Sequence, residues 1–279
     1  MSLDVSTAGY QTQAHEFTYD WKTVVLYALG IGAKRDELDY LYESKGPKVY
    51  PTFAVVPVLP VIGDVLAKTK GDLAMVVHGG QIVRVHRPIP SEGTLSTVGT
   101  IKGIYDMKKM AQVVVETKTS VKGEPCFDTE WAILFRGAGS FGGPPPPKTE
   151  IPASPKGDAD KVHEETTLPE QALLYRLSGD LNPLHADPDF AKMVGFPQGP
   201  ILHGLATYGF VARAVTQQWL DGDANRLVEL GVQFRKPVWP GETVRTEMSR
   251  VDETTLAIAA YAGGRPDAVI TNAWAKLKA

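Results

Sequence analysis

Asp180 and His185 are two proton-transfer groups held five residues apart in the stretch Tyr175-Arg176-Leu177-Ser178-Gly179-Asp180-Leu181-Asn182-Pro183-Leu184-His185-Ala186-Asp187. Pro183 lies between them and pushes Asn182 into an extended conformation, so the segment is not expected to be helical. A loop of that kind can aim both side chains at one point. Shortly after comes Gly199-Pro200-Ile201-Leu202-His203-Gly204, and Gly204 opens an apolar run, Leu205 to Val215, that reads as a long helix. The Gly204 N–H then stands where a helix start can hold developing negative charge. An acid/base pair beside an anion-stabilising N–H is the make-up of an active site.

Neighbouring elements must hold that loop still. Thr167 is a plausible cap with Pro169 near the first turn of a helix that runs through Leu173, Leu174 and Leu177 and stops at Gly179. Asp187-Pro188 looks like the cap and first residue of a further short helix ending near Gly195. Loop and acid/base pair are thus pinned at both ends, as positioned catalytic groups need to be. Taken singly, Asp180 would be a helix C-terminal turn residue and His185 a structural histidine. Asn182-Pro183 between them and His203-Gly204 after them favour the functional reading. Asp187 is read as a helix cap, and His78 and His203, each before a glycine, as structural or substrate-lining. Asp180, Asn182, His185 and Asp187 also suggest a metal cluster, but the acidic ligands are few. The Gly and distal Glu of a calcium loop are missing, so no metal is expected.

Composition bounds the function independently. At 279 residues the chain can bury two moderate cores or one large one, and two domains is the better expectation. A net charge of −3 argues against a nucleic-acid binder with a broad basic surface. Cys126 is the single cysteine, which excludes an internal disulfide framework and a multi-cysteine metal site and points to a reducing compartment. No segment is read as a membrane span, the longest early apolar run being Val24 to Ala33, and the polar N-terminus lacks a secretory pattern. An intracellular soluble protein is expected. Ala-Lys-Leu at 275–277 stops short of the terminus, which leaves a peroxisomal address unsupported. Gly30-Ile31-Gly32-Ala33 follows a helix-like segment, the wrong setting for a dinucleotide turn.

The chain divides in its middle. Gly142-Gly143-Pro144-Pro145-Pro146-Pro147 begins a Pro-, Gly-, Ser- and Lys-rich stretch suited to an extended linker, giving domains at 1–145 and 162–279 joined by 146–161. An internal repeat supports the division. Arg87-Pro88-Ile89 to Thr97 resembles Lys236-Pro237-Val238 to Thr246, each a basic-Pro-apolar lead, a turn and a strand. Alternating runs follow in both halves, Val113 to Lys118 and Trp131 to Phe135, then Leu256 to Tyr261 and Val269 to Ala275. Two repeats of a helix followed by antiparallel strands make an α+β plan. The halves differ between their His-Gly pairs and the repeat: His203 to Pro237 leaves room for a long helix, whereas His78 to Pro88 does not. The first half is therefore expected to lack much of its central helix. It also lacks an Asp-x-Asn-Pro-x-His loop, which places the chemistry in the second half.

The segment Tyr175 to Asp187, with Ile201-Leu202-His203-Gly204 after it, resembles the signature of 2-enoyl-CoA hydratase 2, the (R)-specific hydratases of the MaoC-like family. The likeness extends to Asp20-Trp21 through Leu29-Gly30, His78-Gly79, Lys108 and Phe234, and is closer to the two-domain type than to the short bacterial one. It implies a double hot-dog fold, two curved antiparallel sheets each around a helix, with the first helix shortened to leave space for a bulky acyl chain. It implies that Asp180 and His185 activate water, that Asn182 positions the loop or the water, and that Gly204 is the oxyanion-hole donor. His78, Gly79, Lys108 and Phe234 would line the substrate, with Lys108 toward the coenzyme A. The reaction implied is hydration of a trans-2-enoyl-CoA to the (3R)-3-hydroxyacyl-CoA, with no cofactor beyond the coenzyme A of the substrate. A homodimer is compatible, in the cytoplasm of a bacterium or the peroxisome of a eukaryote. The alternatives are a dehydratase or thioesterase on the same fold and a non-catalytic acyl-CoA-binding module.

Overall fold

The outer strands of the first half alternate in burial. Along β4 (Met110–Val121) the residues Ala111, Val113, Val115, Thr117 and Thr119 are buried and their neighbours less so, the period of two that builds a sheet with one face on a core. In a computed structural model that describes residues 3–153 and 157–278, ten strands form one antiparallel sheet. The others are β1 (His15–Tyr19), β2 (Val76–Val85), β3 (Gly93–Asp106), β5 (Glu124–Arg136), β6 (Lys161–Thr166), β7 (Leu227–Phe234), β8 (Thr243–Arg250), β9 (Thr255–Ala262) and β10 (Ile270–Leu277). Their order is β1-β3-β4-β5-β2-β7-β10-β9-β8-β6. That order reads alike from either edge, with β2 and β7 paired at the centre from Gly80↔Gln233 to Arg84↔Glu229. This is the double hot-dog plan of the α+β class.

Six α-helices accompany the sheet among the described residues: α1 (Trp21–Gly30), α2 (Leu38–Leu41), α3 (Val55–Lys68), α4 (Gln171–Tyr175), α5 (Pro188–Met193) and α6 (Gly204–Trp219). Asp20 caps α1, accepting from the N–H groups of Lys22 and Thr23. The long helices α3 and α6 are the repeat's two central helices. Each is followed by a stretch of equal length, 69–75 and 220–226, holding a glycine, an aspartate cap and a 3₁₀ turn before its strand. α3 lies on β3 because residue 99 is glycine: a Cβ there would stand 2.5 Å from Val61 Cγ1.

Two expectations change here. The first half does not lack its central helix, since α3 has 14 residues against 16 in α6. The comparison of His78 with His203 set a residue inside β2 against one that precedes α6, so the missing length was never missing. Nor is Val24 to Ala33 the longest early apolar run. The run Pro51–Lys68 is 18 residues long with a mean hydropathy of 1.5 and is 67% buried, the core helix of the first half.

The halves share one hydrophobic core. Arg213, in the middle of α6 and fully buried, pairs with Glu37 of the first half and, at 2.6 Å, with Glu165 of β6, and donates to the Ile31 carbonyl at 3.2 Å. Tyr50 adds a hydrogen bond to Glu37 at 2.7 Å. A buried charge is tolerated when it is paired and hydrogen-bonded in this way. The described residues of the connection 137–160 form neither helix nor strand, and the Asp106 carboxylate takes N–H donations from Ser140 and Gly142 at its start.

Candidate active site

The acid/base loop leaves α4 through a single 3₁₀ turn, Arg176–Ser178, and turns at Gly179, whose φ of 118° is costly for any residue with a Cβ. Glu170, and not Thr167, precedes α4, because the Thr167 hydroxyl is engaged elsewhere, donating to the Glu242 carbonyl and accepting from the Gly241 N–H. Pro183 does not forbid all helix: it opens a 3₁₀ turn, Pro183–His185, at the first position, where proline fits. Asn182 caps that turn, its side chain accepting from the Leu184 N–H at 3.0 Å, while the Asn182 N–H donates to the Asp180 carboxylate at 3.2 Å. Asp187 caps α5 as expected.

His185 is buried, and its Nδ1 lies 2.8 Å from the Ile201 carbonyl. A carbonyl only accepts, so the Nδ1 carries the proton and Nε2 is left as the basic nitrogen of the neutral ring. Burial holds the His185 pKa below its ordinary value, against the pull of that carbonyl and of the Asp180 carboxylate. His203 stacks on His185 with ring centroids 3.6 Å apart and donates from Nε2 to the Asp180 carbonyl at 3.1 Å. Burial first, and His185 second, push the His203 pKa far down. Its Nδ1 is buried without a hydrogen-bond partner.

Gly204 is the first residue of α6, and no side chain caps that helix start. Its first N–H groups are thus not taken up by a cap. Phe234, at the end of β7, covers the position: a Cβ on Gly204 would sit 3.4 Å from its ring. His78 leans on Phe234 at 5.0 Å and stacks on Trp131 at 4.8 Å, with Nε2 on the Gly80 carbonyl at 3.0 Å. Burial pushes the His78 pKa down to about 4, opposed by its carbonyl partner and by the Asp180 carboxylate. Gly79 is needed at a bulge in β2, where a Cβ would strike the Leu134 side chain at 2.7 Å.

Asp180, His185 and His203 lie together, as do Gly204, Phe234 and His78, in a region built from both halves, whereas the Asn182 side chain only caps its own turn and Gly79 faces Leu134. Lys108 is not brought into it. It is an exposed residue of the β3–β4 turn, with φ 66°, and its backbone bonds run to Asp106 and Ser140. A groove of about 740 Å³ opens beside His185, walled by Ala172, Leu173, Pro200, Trp239 and Arg265. Arg265 lies over the Trp239 ring at 5.1 Å and pairs with Glu242 at 2.7 Å. Sequence reasoning did not single out Arg265, whose only local signal is the Gly263-Gly264 turn before it, nor the loop-holding bond of His203.

Asp180, His185 and His203 have donor atoms within 4.8 Å of one another. Ring nitrogen lone pairs lie in the ring planes, and the two histidine planes are tilted by only 24° and stacked. They do not converge on one tetrahedral ion as zinc ligands do, and the arrangement suits a hydrogen-bonded water better.

On this double hot dog, His185 reaches the uncapped start of α6 through its stack on His203. Residues 17–137 match the family described as MFE-2 hydratase 2 N-terminal domain, and residues 150–265 the MaoC like domain. The chain is 36% identical over 266 residues to a protein of Dictyostelium discoideum named probable enoyl-CoA hydratase 2, covering 92% of this chain and 90% of that one. It is 35% identical to 3-hydroxyacyl-thioester dehydratase Y of Mycobacterium tuberculosis, covering 90% and 89%. Among solved structures, a MaoC-like dehydratase from Phytophthora capsici superposes with a TM-score of 0.89 at 28% identity, over 100% of this chain and 98% of that one. The chain belongs to the MaoC-like hydratase family, in its two-domain, hydratase 2 form.

Proposed function

We propose that this protein hydrates a trans-2-enoyl-CoA to the (3R)-3-hydroxyacyl-CoA. The observation that carries the reading is the fixed tautomer of His185: with Nδ1 committed to the Ile201 carbonyl, Nε2 is free to take a proton beside the Asp180 carboxylate. The thioester carbonyl accepts from the Gly204 N–H at the start of α6, which draws electron density from the double bond. His185 and Asp180 hold one water. Its oxygen bonds to C3 as its proton passes to the pair, and a proton from the pair goes to C2, so the pair ends as it began. Charge built up at C2 is shared with the polarised carbonyl, and the step asks for no metal or redox cofactor.

His78, Gly79 and Phe234 wall the thioester, and Asn182 holds the loop. Lys108 is proposed only as a contact to the distal coenzyme A. The first half supplies acyl-chain contacts through β2 and through Leu59 of α3, which lies against Gly179 of the loop, with 146–161 as the connection between the halves. Two copies associating is part of this reading.

A second reading is favoured by the similarity to the thioester dehydratase: the same site run backwards, removing water from a 3-hydroxyacyl thioester. One assay separates the possibilities. Loss of enoyl-thioester ultraviolet absorbance on adding the protein to trans-2-enoyl-CoA, with a product of (3R) configuration, is expected. Release of free thiol instead would make it a thioesterase, and no change with any enoyl-CoA would leave a binding module.

A further inference from the structure

The symmetry of the sheet gives the active site a counterpart. Around Gly204 the site is bounded by the start of α6, the end of β7 at Phe234 and the start of β2 at His78. Exchanging the halves leads to the start of the α3 run at Pro51, the end of β2 at Val85 and the start of β7 at Leu227. Because 69–75 and 220–226 are equal in length, Phe53 stands as far ahead of β2 as Gly204 does ahead of β7. A cavity of about 270 Å³ opens at this counterpart.

Its chemistry is not that of the active site. Phe53 replaces the glycine, and the first half carries no acid/base loop. Pro51, Val85, Ile89, Leu227 and Val228 make the walls apolar, and His86, Arg87 and Lys278 stand among them, with no Asp or Glu in the lining among the described residues. His86 is matched by Asp128 at 3.0 Å. Arg87 donates to the Val121 and Glu124 carbonyls, at 2.9 and 2.7 Å, and neither it nor Lys278 forms a salt bridge among the described residues. An apolar chamber with cationic groups of one sign fits an apolar chain that ends in an anion.

We propose that this cavity is a second, non-catalytic site that binds a medium-chain fatty carboxylate, its chain against Ile89, Leu227 and Val228 and its head group on Arg87 and Lys278. At roughly 30 Å³ for a water-sized group, the space holds about nine chain atoms, which suits octanoate. The site is separate from the hydration chemistry and does not rest on that reading.

The test is calorimetric titration of the full chain with octanoate, with and without saturating butyryl-CoA to fill the active site. Octanoate is expected to go on binding in the presence of butyryl-CoA. Lys278→Glu and Val228→Trp should each weaken that binding by roughly tenfold or more, one by reversing charge and the other by filling the chamber, while kcat/KM for an enoyl-CoA stays at the parent value. Lys278 is exposed, so its variant should fold even if the tryptophan is poorly accommodated. No octanoate binding at millimolar concentration, complete displacement by butyryl-CoA, parent-like affinity in Lys278→Glu, or equal binding of neutral octanol would each overturn the proposal. Because the readout is binding, failure of the hydratase assignment would show in turnover and leave these outcomes legible.

Discussion

His203 holds Asp180 by its backbone and His185 by its ring: Nε2 donates to the Asp180 carbonyl at 3.1 Å, and the imidazole lies 3.6 Å from that of His185, centroid to centroid. One buried residue at the foot of α6 thereby touches both of the groups proposed to share the water. It is a positioning residue, and the helix that offers the Gly204 N–H is the helix that carries the clamp.

His203→Ala should lower kcat by roughly tenfold to a hundredfold, the cost of misplacing reacting groups by about an ångström, with little change in KM. His203→Gln keeps a donor near the Nε2 position and should recover part of the loss. Steady-state kinetics of the two variants, beside their melting temperatures, check this. A loss in KM alone, or no difference between Ala and Gln, would show that His203 only fills space.

Gly204→Pro tests the helix start. Proline is favoured at the first helical position, and the preceding His203, with φ −57° and ψ 135°, already has the conformation a residue before proline prefers. The substitution removes the N–H and keeps α6. Turnover should fall by about a hundredfold to a thousandfold while circular dichroism is unchanged. Turnover within a few-fold of the parent would move the oxyanion contact elsewhere.

These positions also show what was readable in the chain. The Asp180–His185 loop was legible because its determinants are local: Gly179 to turn, Asn182 to cap, Pro183 to start a 3₁₀ turn, Asp187 to cap α5. The two His-Gly pairs misled because a dipeptide does not reveal its element: Gly79 serves a strand bulge against Leu134, whereas Gly204 starts a helix. Thr167 looked like a cap and is spent on a tertiary bond to residues 74 and 75 positions away. Arg213 could not be paired from sequence, as Glu37 and Glu165 lie 176 and 48 positions from it. Alternation displayed the strands, while the pairing of β2 with β7, which brings His78 to Phe234, depends on the whole sheet.

Burial lowers the pKa of His78, His185 and His203 in the folded protein. The unfolded chain takes up these protons near the ordinary value of about 6.5 and the folded protein only at lower pH. Between those values the unfolded state binds more protons, so stability falls as pH drops from about 6.5 toward about 4. His78→Phe keeps an aromatic ring against Trp131 and removes one titrating group. Melting temperatures between pH 7 and 5 should fall for the parent and fall less for His78→Phe, and equal slopes would contradict the assignment.

The most direct test of the account is the turnover of trans-2-enoyl-CoA by Asp180→Asn and His185→Gln. Each should lose roughly a hundredfold to ten-thousandfold in kcat, the usual worth of a positioned acid or base, with melting temperature close to that of the parent. Hydration within a few-fold of the parent by either folded variant would contradict it.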